Sequence, residues 1–193
     1  MPVHKVTFSR PFWMAETEVT QSQYLEILGS DPSHYKGDQN PVDAVSRQDA
    51  VEFCRKLTAR EWQAGRLQKG YEYMLPTEAQ WEYACRAGTN SVYSWGNTLS
   101  PENANWNHGN DANQTVDVGQ FPPNSWGFHD MHGNVYEWCE DWYDGNFYKN
   151  SVKNNPVNTK KATYRVLRGG SWSNYAASCR VANRSRNTPT YGN

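Results

Sequence analysis

The stretch LPTEAQWEYA, residues 75–84, carries the clearest local structural signal in the sequence. Thr77 and Gln80 stand three positions apart at the start of an apolar-periodic run, which is the pattern of a capping box. The apolar positions that follow are Trp81, Ala84 and Cys85. Because such positions share one side of a helix, the stretch predicts a short amphipathic helix, which Gly88 ends.

Two further helices are predicted upstream. Thr20 and Gln23 form another capping box, and Gly29 ends the short helix behind them. Ser46 caps the next helix. The buried stripe of that helix is expected at Ala50, Val51, Cys54 and Leu57. Short apolar or alternating runs predict strands at residues 3–8, 12–14 and 164–168.

Residues 90–163 contain no long periodic segment and are rich in Asn, Gly, Pro and Trp. The recurring Trp and Gly predict a packed loop region, with tight turns around buried indoles. The 193 residues, 14% of them aromatic, suffice for one folded domain with its own core. The sequence therefore predicts a single α+β domain over residues 1–193, with helices first and loops and short strands after.

Composition narrows the classes of function. With 19 basic and 20 acidic residues, neither nucleic acid nor an anionic membrane is an expected partner. No apolar run is long enough to span a bilayer and none resembles a signal peptide, so a soluble protein is expected and its compartment stays open. The four cysteines are Cys54, Cys85, Cys139 and Cys179. They form no CxxC pair, so neither structural zinc nor a disulfide scaffold is expected.

Two carboxylates, Asp130 and Glu137, bracket a Gly-Asn turn in the stretch DMHGNVYEW, residues 130–138. Side-chain and backbone oxygens around such a turn suit calcium better than zinc. A turn with two solvated acids is the alternative, and spacing alone favours it. The neighbouring His129 and His132 lack a third partner and are expected at the surface.

The C-terminal stretch 173–193, called the tail below, has the composition of a binding loop. It is built from Ser, Asn, Tyr, Ala, Thr, Gly and Arg with one Cys, one Val and one Pro, and it lacks Lys, Glu, Gln, Met and Trp. Tyr gives rigid amphipathic contact, and Ser, Asn and Gly give adaptable hydrogen bonds. The residues that hold the tail in place, called framework positions below, are expected to be Arg180, Ala182, Arg184 and Arg186. An ordinary surface loop is the alternative.

A catalytic thiol at Cys179 is a third interpretation of the tail. Positive neighbours such as Arg180 lower the pKa of a thiol and activate it as a nucleophile. The sequence offers no assignable base or orienting partner for Cys179. A buried structural thiol is therefore favoured.

Five segments occur in the order of one protein family. They are ETEVT at 16–20, NPV at 40–42, LPTEAQWEYA at 75–84, GNVYEW at 133–138 and RVLRGGSW at 165–172. Through them nearly the whole chain resembles the formylglycine-generating-enzyme, or sulfatase-modifying-factor, domain. The resemblance implies a C-type-lectin-like fold of the formylglycine-generating-enzyme type, with small mixed sheets, few helices and extensive irregular loops.

The resemblance also implies a calcium ion at the Gly-Asn turn. Its ligands would be the Asp130 and Glu137 side chains and the Gly133 and Val135 carbonyls. A second calcium site of the family begins at the position of Asn105, where the following loop is shorter in this chain, and that site stays open.

Enzymes of this family bind copper and oxidise their substrate with two cysteines, five positions apart, directly after the Gly-Gly-Ser strand end. The matching stretch, residues 173–178, contains no cysteine, and Cys179 lies at neither position. Two soft thiolates are what copper(I) requires. No enzymatic activity is therefore expected, and a formylglycine-generating oxidase acting on a sulfatase cysteine is the alternative function.

The tail is similar to that of a narrower group with this fold, the variable proteins of diversity-generating retroelements. There an error-prone reverse transcriptase rewrites template adenines, and randomising the first two bases of an Asn codon cannot give the five residue types missing from the tail. The resemblance implies a ligand-binding protein whose tail contacts an unknown protein or surface ligand. Tyr175 and Tyr191 would be its aromatic anchors. The ligand-binding residues are expected to be Ser173, Asn174, Tyr175, Ala176, Ser178, Val181, Asn183, Ser185, Asn187, Thr188, Thr190 and Tyr191.

Overall fold

The computed structural model describes residues 4–107 and 113–192. Its helices are α1 (Gln21–Leu28), α2 (Arg47–Gln63), α3 (Glu78–Arg86) and α4 (Phe147–Asn150), with a 3-10 turn at Ala176–Cys179. Its strands are β1 (Glu137–Trp142), β2 (Arg165–Arg168) and β3 (Ser185–Asn187). They form one antiparallel sheet in the order β1-β2-β3. The prediction of an α+β fold with few helices and much irregular chain is confirmed.

The three predicted helices form, and each begins at its predicted cap. The Thr20, Ser46 and Thr77 side chains each accept a hydrogen bond from the backbone three residues on. Gly29 ends α1 in the left-handed conformation, with φ 79°. The end of α3 differs from the prediction, because Ala87 takes the left-handed position one residue before Gly88.

Three of the four predicted inward positions of α2, Ala50, Cys54 and Leu57, pack against a buried cluster that includes Tyr24 and Phe53. Val51 is exposed, so the expectation for it is wrong, while Phe53 is buried. The ring of Phe53 stacks on that of Tyr24 in α1, with centroids 5.5 Å apart. Local apolar periodicity therefore identified the side of α2 that faces α1, except at Val51 and at the unpredicted Phe53.

The strand predictions are partly wrong. Residues 165–168 form β2 as expected, but Thr7 makes only an isolated bridge to Asn154 among the described residues of 3–8. Residues 12–14 form no strand, and the Trp13 side chain is 92% exposed. Strands β1 and β3 were not predicted, because three of the six residues of β1 are acidic and its register is irregular, and β3 has only three residues.

The main core joins α3, the sheet and the tail. Its buried members are Trp81, Ala84, Cys85, Met131, Cys139, Val166 and Val181. The predicted inner face of α3 is thus confirmed. A second, smaller core holds α1 against α2 through Tyr24, Val45 and Phe53. No helix in the described parts of the chain is both long enough and apolar enough to cross a membrane.

Candidate functional site

The tail divides into buried anchors and displayed side chains. Cys179 and Val181 are fully buried, and Arg184 inserts its guanidinium against the buried Glu78 carboxylate at the start of α3. Strand β3 pairs with β2, which fixes the register of the following residues. The tail is therefore attached to the core at several points along its length.

The predicted ligand-binding residues fall into three groups by exposure. Ser173, Tyr175, Thr190 and Tyr191 are exposed, with Tyr175 at 65% and Tyr191 at 55%. Asn174, Ala176, Ser178, Asn183, Ser185, Asn187 and Thr188 are half-buried. Val181 is fully buried in the main core, so its assignment to the ligand surface is wrong. A small apolar residue between Arg180 and Ala182, in a mostly polar stretch, gave no local sign that it faces inward.

The expected framework arginines behave differently from one another. Arg184 is buried against Glu78, whereas the Arg180 side chain is exposed and donates from Nε to the nearby Ala177 carbonyl. Arg186 is exposed and lies over the rings of Tyr143 and Tyr164. Ala182 is exposed as well. Of these four positions, Arg184 alone is buried as a framework residue would be.

Three carboxylates meet at the Gly-Asn turn. Asp130 and Glu18 are buried and Glu137 is half-buried, and the charges of Asp130 and Glu137 both oppose the ionisation of Glu18. Burial raises the pKa of Glu137 to about 7, with a contribution from Asp130. Burial also raises the pKa of Glu18 well above its ordinary value, and that of Asp130 to a lesser degree. The interpretation of Asp130 and Glu137 as two solvated acids is therefore wrong.

Glu18 was not predicted as a site residue. Its carboxylate accepts hydrogen bonds from Asn134 Nδ2 at 2.7 Å and from the Val135 amide at 3.0 Å. Glu18 thus binds the amide side of the turn, across 116 residues of sequence. No local pattern marks an acid whose partners are so distant, although it lies within the ETEVT segment of the family resemblance.

The surroundings of the turn fit an oxygen-binding cation. Asp130 Oδ2 accepts from the Gly119 amide at 2.6 Å, while its buried Oδ1 has no hydrogen-bond partner. The Val135 carbonyl and Glu137 Oε1 both face Gly169, where a Cβ would lie 3.6 and 3.7 Å from them. Within the described residues, no three His, Cys, Asp or Glu side chains form a metal-binding group by themselves. A cation here would thus depend on backbone carbonyls as well as carboxylates.

The second calcium expectation, at Asn105, stays untested. The Asn105 carbonyl accepts from the Asn134 amide at 2.8 Å, and its side-chain amide donates to Asn134 Oδ1 at 3.1 Å. The loop after it includes residues 108–112, which lie outside the described residues.

His132 is a core residue, so the expectation that it lies at the surface is wrong. Its Nδ1 donates to the Cys179 carbonyl at 2.7 Å, so Nε2 is the acceptor and receives the Ser94 amide at 3.1 Å. Burial lowers the pKa of His132 to about 4, which keeps the ring neutral. The ring therefore fixes the backbone of the tail at Cys179.

The Cys179 thiol is a structural group, as the sequence favoured. It is fully buried, and burial raises its pKa to about 12. All four cysteines are unpaired, and burial raises the thiol pKa at the other three as well. None of them has the exposed, low-pKa thiolate that a nucleophile or a copper site requires.

The described geometry matches a known protein family. The sulfatase-modifying factor enzyme 1-like domain matches residues 1–193. The chain belongs to this family. Among curated relatives, it is 34% identical to the formylglycine-generating enzyme of Mus musculus, over 97% of this chain and 50% of that protein. It is 30% identical to the chaperone protein LppX of Paenibacillus barcinonensis, over 83% of this chain and 69% of that protein.

A third relative shows how the domain occurs within longer proteins. The chain is 33% identical to the serine/threonine-protein kinase pkn1 of Chlamydia pneumoniae, over its whole length but only 33% of the kinase. The chain thus spans between one third and about two thirds of the length of these relatives.

Two solved structures share the fold. Treponema denticola variable protein 1 matches with a TM-score of 0.83 and 28% identity, over 91% of this chain and 78% of that one. PvdO from Pseudomonas aeruginosa matches with a TM-score of 0.84 and 26% identity, over 100% of this chain and 80% of that one. The C-type-lectin-like fold of the formylglycine-generating-enzyme type, and the likeness to a variable protein, are confirmed.

Proposed function

We propose that this domain is a ligand-binding module, which displays its tail on a rigid scaffold and contacts a protein or surface ligand. The observation that supports this most directly is the division of the tail. Cys179, Val181 and Arg184 attach it to the core, while Tyr175 and Tyr191 project into solvent. Exposed tyrosines on a fixed backbone bind at low entropic cost, because little freedom is lost on contact.

The likeness of the chain to a variable protein supports the same function. Its displayed side chains are hydroxyls, amides and tyrosines, which adapt to many partner surfaces. Buried attachment points next to exposed positions allow the exposed ones to differ while the fold stays constant.

We further propose that calcium occupies the Gly-Asn turn. Asp130 and Glu137 would supply carboxylate oxygens, and Gly133 and Val135 would supply carbonyls. The ion would offset the repulsion among the buried carboxylates. Its role in this proposal is to stabilise the scaffold, since the turn donates and accepts hydrogen bonds that hold the start of the tail.

Binding can be tested without knowing the natural ligand. A random dodecapeptide library displayed on phage would be selected against the immobilised chain. Enriched peptides should lose binding to the Tyr175→Ala/Tyr191→Ala variant, while the melting temperature of that variant stays close to that of the parent. Failure to enrich any peptide over an uncoated surface, or binding that is unchanged in the variant, would contradict the proposal.

An oxidase of the formylglycine-generating type is the second candidate, favoured by the identity to the mouse enzyme. The buried, unpaired thiols argue against it. Titration with copper(I), followed by assay on a sulfatase-derived cysteine peptide, separates the two. Stoichiometric copper binding with aldehyde formation would overturn the ligand-binding proposal, and neither is expected.

A further inference from the structure

Two loops outside the tail border its displayed surface, and each carries an aromatic side chain toward it. Tyr35, in the loop after α1, packs edge-to-face on Trp172, the residue directly before the tail, with ring centroids 5.4 Å apart. Trp95 stacks on Tyr93, with centroids 5.8 Å apart. The Tyr93 hydroxyl in turn donates to the Ala176 carbonyl at 2.8 Å.

The loop that carries Tyr35 touches the tail at both of its ends. Tyr35 contacts Trp172 at the start, and Gly192 lies so close to the Ala44 carbonyl that a Cβ there would overlap it. The Asp43 carboxylate accepts the His34 amide at 2.7 Å, and Gln21 Nε2 donates to the Tyr35 carbonyl at 2.6 Å. These bonds hold the loop in one position beside the tail.

The loop that carries Trp95 borders the middle of the tail. The Val181 amide donates to the Val92 carbonyl at 3.0 Å, which joins the two segments directly. The indole of Trp95 is 37% exposed, and its Nε1 donates to the Thr98 carbonyl at 3.0 Å. An exposed, oriented indole therefore lies next to the displayed residues.

The tail alone is too small for a protein interface. Eleven of its twelve predicted contact residues reach the surface, since Val181 is buried. A specific protein–protein interface uses roughly 20–30 residues on each side. A partner that covers the tail must therefore also cover neighbouring loops, and two of the loops joined to it are those of Tyr35 and Trp95.

We infer that Tyr35 and Trp95 are part of the ligand surface and act as binding anchors outside the tail. This rests on the proposed function. The partner is a polypeptide with apolar and acidic groups on its surface, because the exposed tail residues include the aromatic Tyr175 and Tyr191 and the positively charged Arg180 and Arg186. Aromatic anchors of this kind account for much of the energy in such contacts.

The test measures the affinity of peptides selected from a random dodecapeptide library for single variants of the full chain. Tyr35→Ala and Trp95→Ala should each weaken binding tenfold or more. Tyr71→Ala and Trp62→Ala are the matched controls, since both residues are exposed and belong to α2 and the segment after it. These two should change the affinity less than twofold. Because Arg180 and Arg186 are exposed in the tail, the affinity should fall at least threefold from about 0.05 to about 0.5 M salt.

The outcomes separate this inference from the proposed function. Loss of binding in Tyr175→Ala/Tyr191→Ala, with no change in Tyr35→Ala and Trp95→Ala, leaves the function and overturns the inference. Loss of binding only in Tyr71→Ala or Trp62→Ala overturns both, and so does failure to enrich any peptide. Thermal melts of all variants, together with Tyr35→Phe and Trp95→Phe, which keep an aromatic ring, identify any loss that results from unfolding.

Discussion

Arg184 and Glu78 form a bidentate ion pair, with Nε–Oε1 and Nη2–Oε2 distances of 2.6 and 2.7 Å. Glu78 is the first residue of α3 and is fully buried, whereas Arg184 directly precedes β3. Arg168, also fully buried, brings a second guanidinium within 3.4 Å of the same carboxylate. The pair therefore connects the tail to the start of the helix that forms the core.

Removing Arg184 should destabilise the fold strongly. Arg184→Ala leaves the buried Glu78 carboxylate with one weaker partner, and breaking such a pair costs about 3–5 kcal/mol of the free energy of unfolding. Arg180→Ala, at an exposed arginine four positions earlier, should cost less than about 0.5 kcal/mol. Urea unfolding of both variants measures the difference. Equal, small losses would show that the ion pair does not hold the tail.

The division of the tail into anchors and displayed residues predicts opposite responses to the same new side chain. Val181→Ser removes core contacts and buries a hydroxyl, so it should cost about 2–4 kcal/mol. Tyr175→Ser changes an exposed side chain and should stay within about 0.5 kcal/mol. Chemical denaturation compares the two variants. A large loss in the free energy of unfolding of Tyr175→Ser would show that Tyr175 contributes to the stability of the core.

Gly133 occupies a position that no side chain fits. Its φ is 101°, and a Cβ there would overlap the Asn105 carbonyl oxygen. Gly127 has a similar φ of 89° with nothing within 4 Å of a Cβ. Gly127→Ala should cost about 1 kcal/mol for its backbone alone, and Gly133→Ala several kcal/mol more. Thermal melts of the two variants isolate the effect of the overlap with Asn105. Equal losses of stability in Gly127→Ala and Gly133→Ala would show that the overlap has no effect.

Asp141 should make stability depend on pH. Its two oxygens accept the Glu78 and Asn158 amides, both at 2.7 Å, and burial raises its pKa from 3.8 to about 6. Between those values the folded protein holds the extra proton, so stability falls by up to about 3 kcal/mol as pH rises through this window.

Asp141→Asn removes this titration. Relative to it, the parent protein should gain stability as pH falls from about 6.5 to about 4, and effects of the other buried acids cancel in the difference. Urea unfolding at several pH values provides the measurement. A difference independent of pH would mean that Asp141 has an ordinary pKa in the folded state.

Calcium should raise the melting temperature if it occupies the Gly-Asn turn. An ion that binds only the folded state at a hundredfold excess over its Kd adds about 2.7 kcal/mol. Glu137→Gln should abolish the shift yet still fold, because burial already favours the neutral form of Glu137. The exposed Asp117→Asn is the control and should keep the shift. An unchanged melting temperature in the parent protein, in calcium against a chelator, would reject the site.

Short sequence patterns correctly predicted the structural features that depend on residues close together in the sequence. The N-terminal caps of α1, α2 and α3 and the inner face of α3 are set within a few residues, and all of them are confirmed. Strand β2 was recognised because a short run with Tyr164, Val166 and Leu167 ends at a Gly pair. The five family segments, taken in order, predicted the fold, which the irregular region at residues 90–163 did not indicate by itself.

Features that depend on distant partners were missed. Glu18 meets its turn across 116 residues, and Arg184 meets Glu78 across 106. Val181 faces the core because Val92 and Arg168 bind its backbone, and neither is a neighbour in sequence. The isolated bridge at Thr7 formed no strand, because pairing stops at a single residue of the loop around Asn154.

The alternation of attachment points and outward side chains has a consequence for how this domain can evolve. A change at Ser173, Tyr175 or Tyr191 scarcely enters the energetics of folding, so it can be sampled without selection first removing misfolded products. Under the proposed function, recognition and foldability would be under separate selection, and a lineage could exchange one partner for another without passing through unstable intermediates.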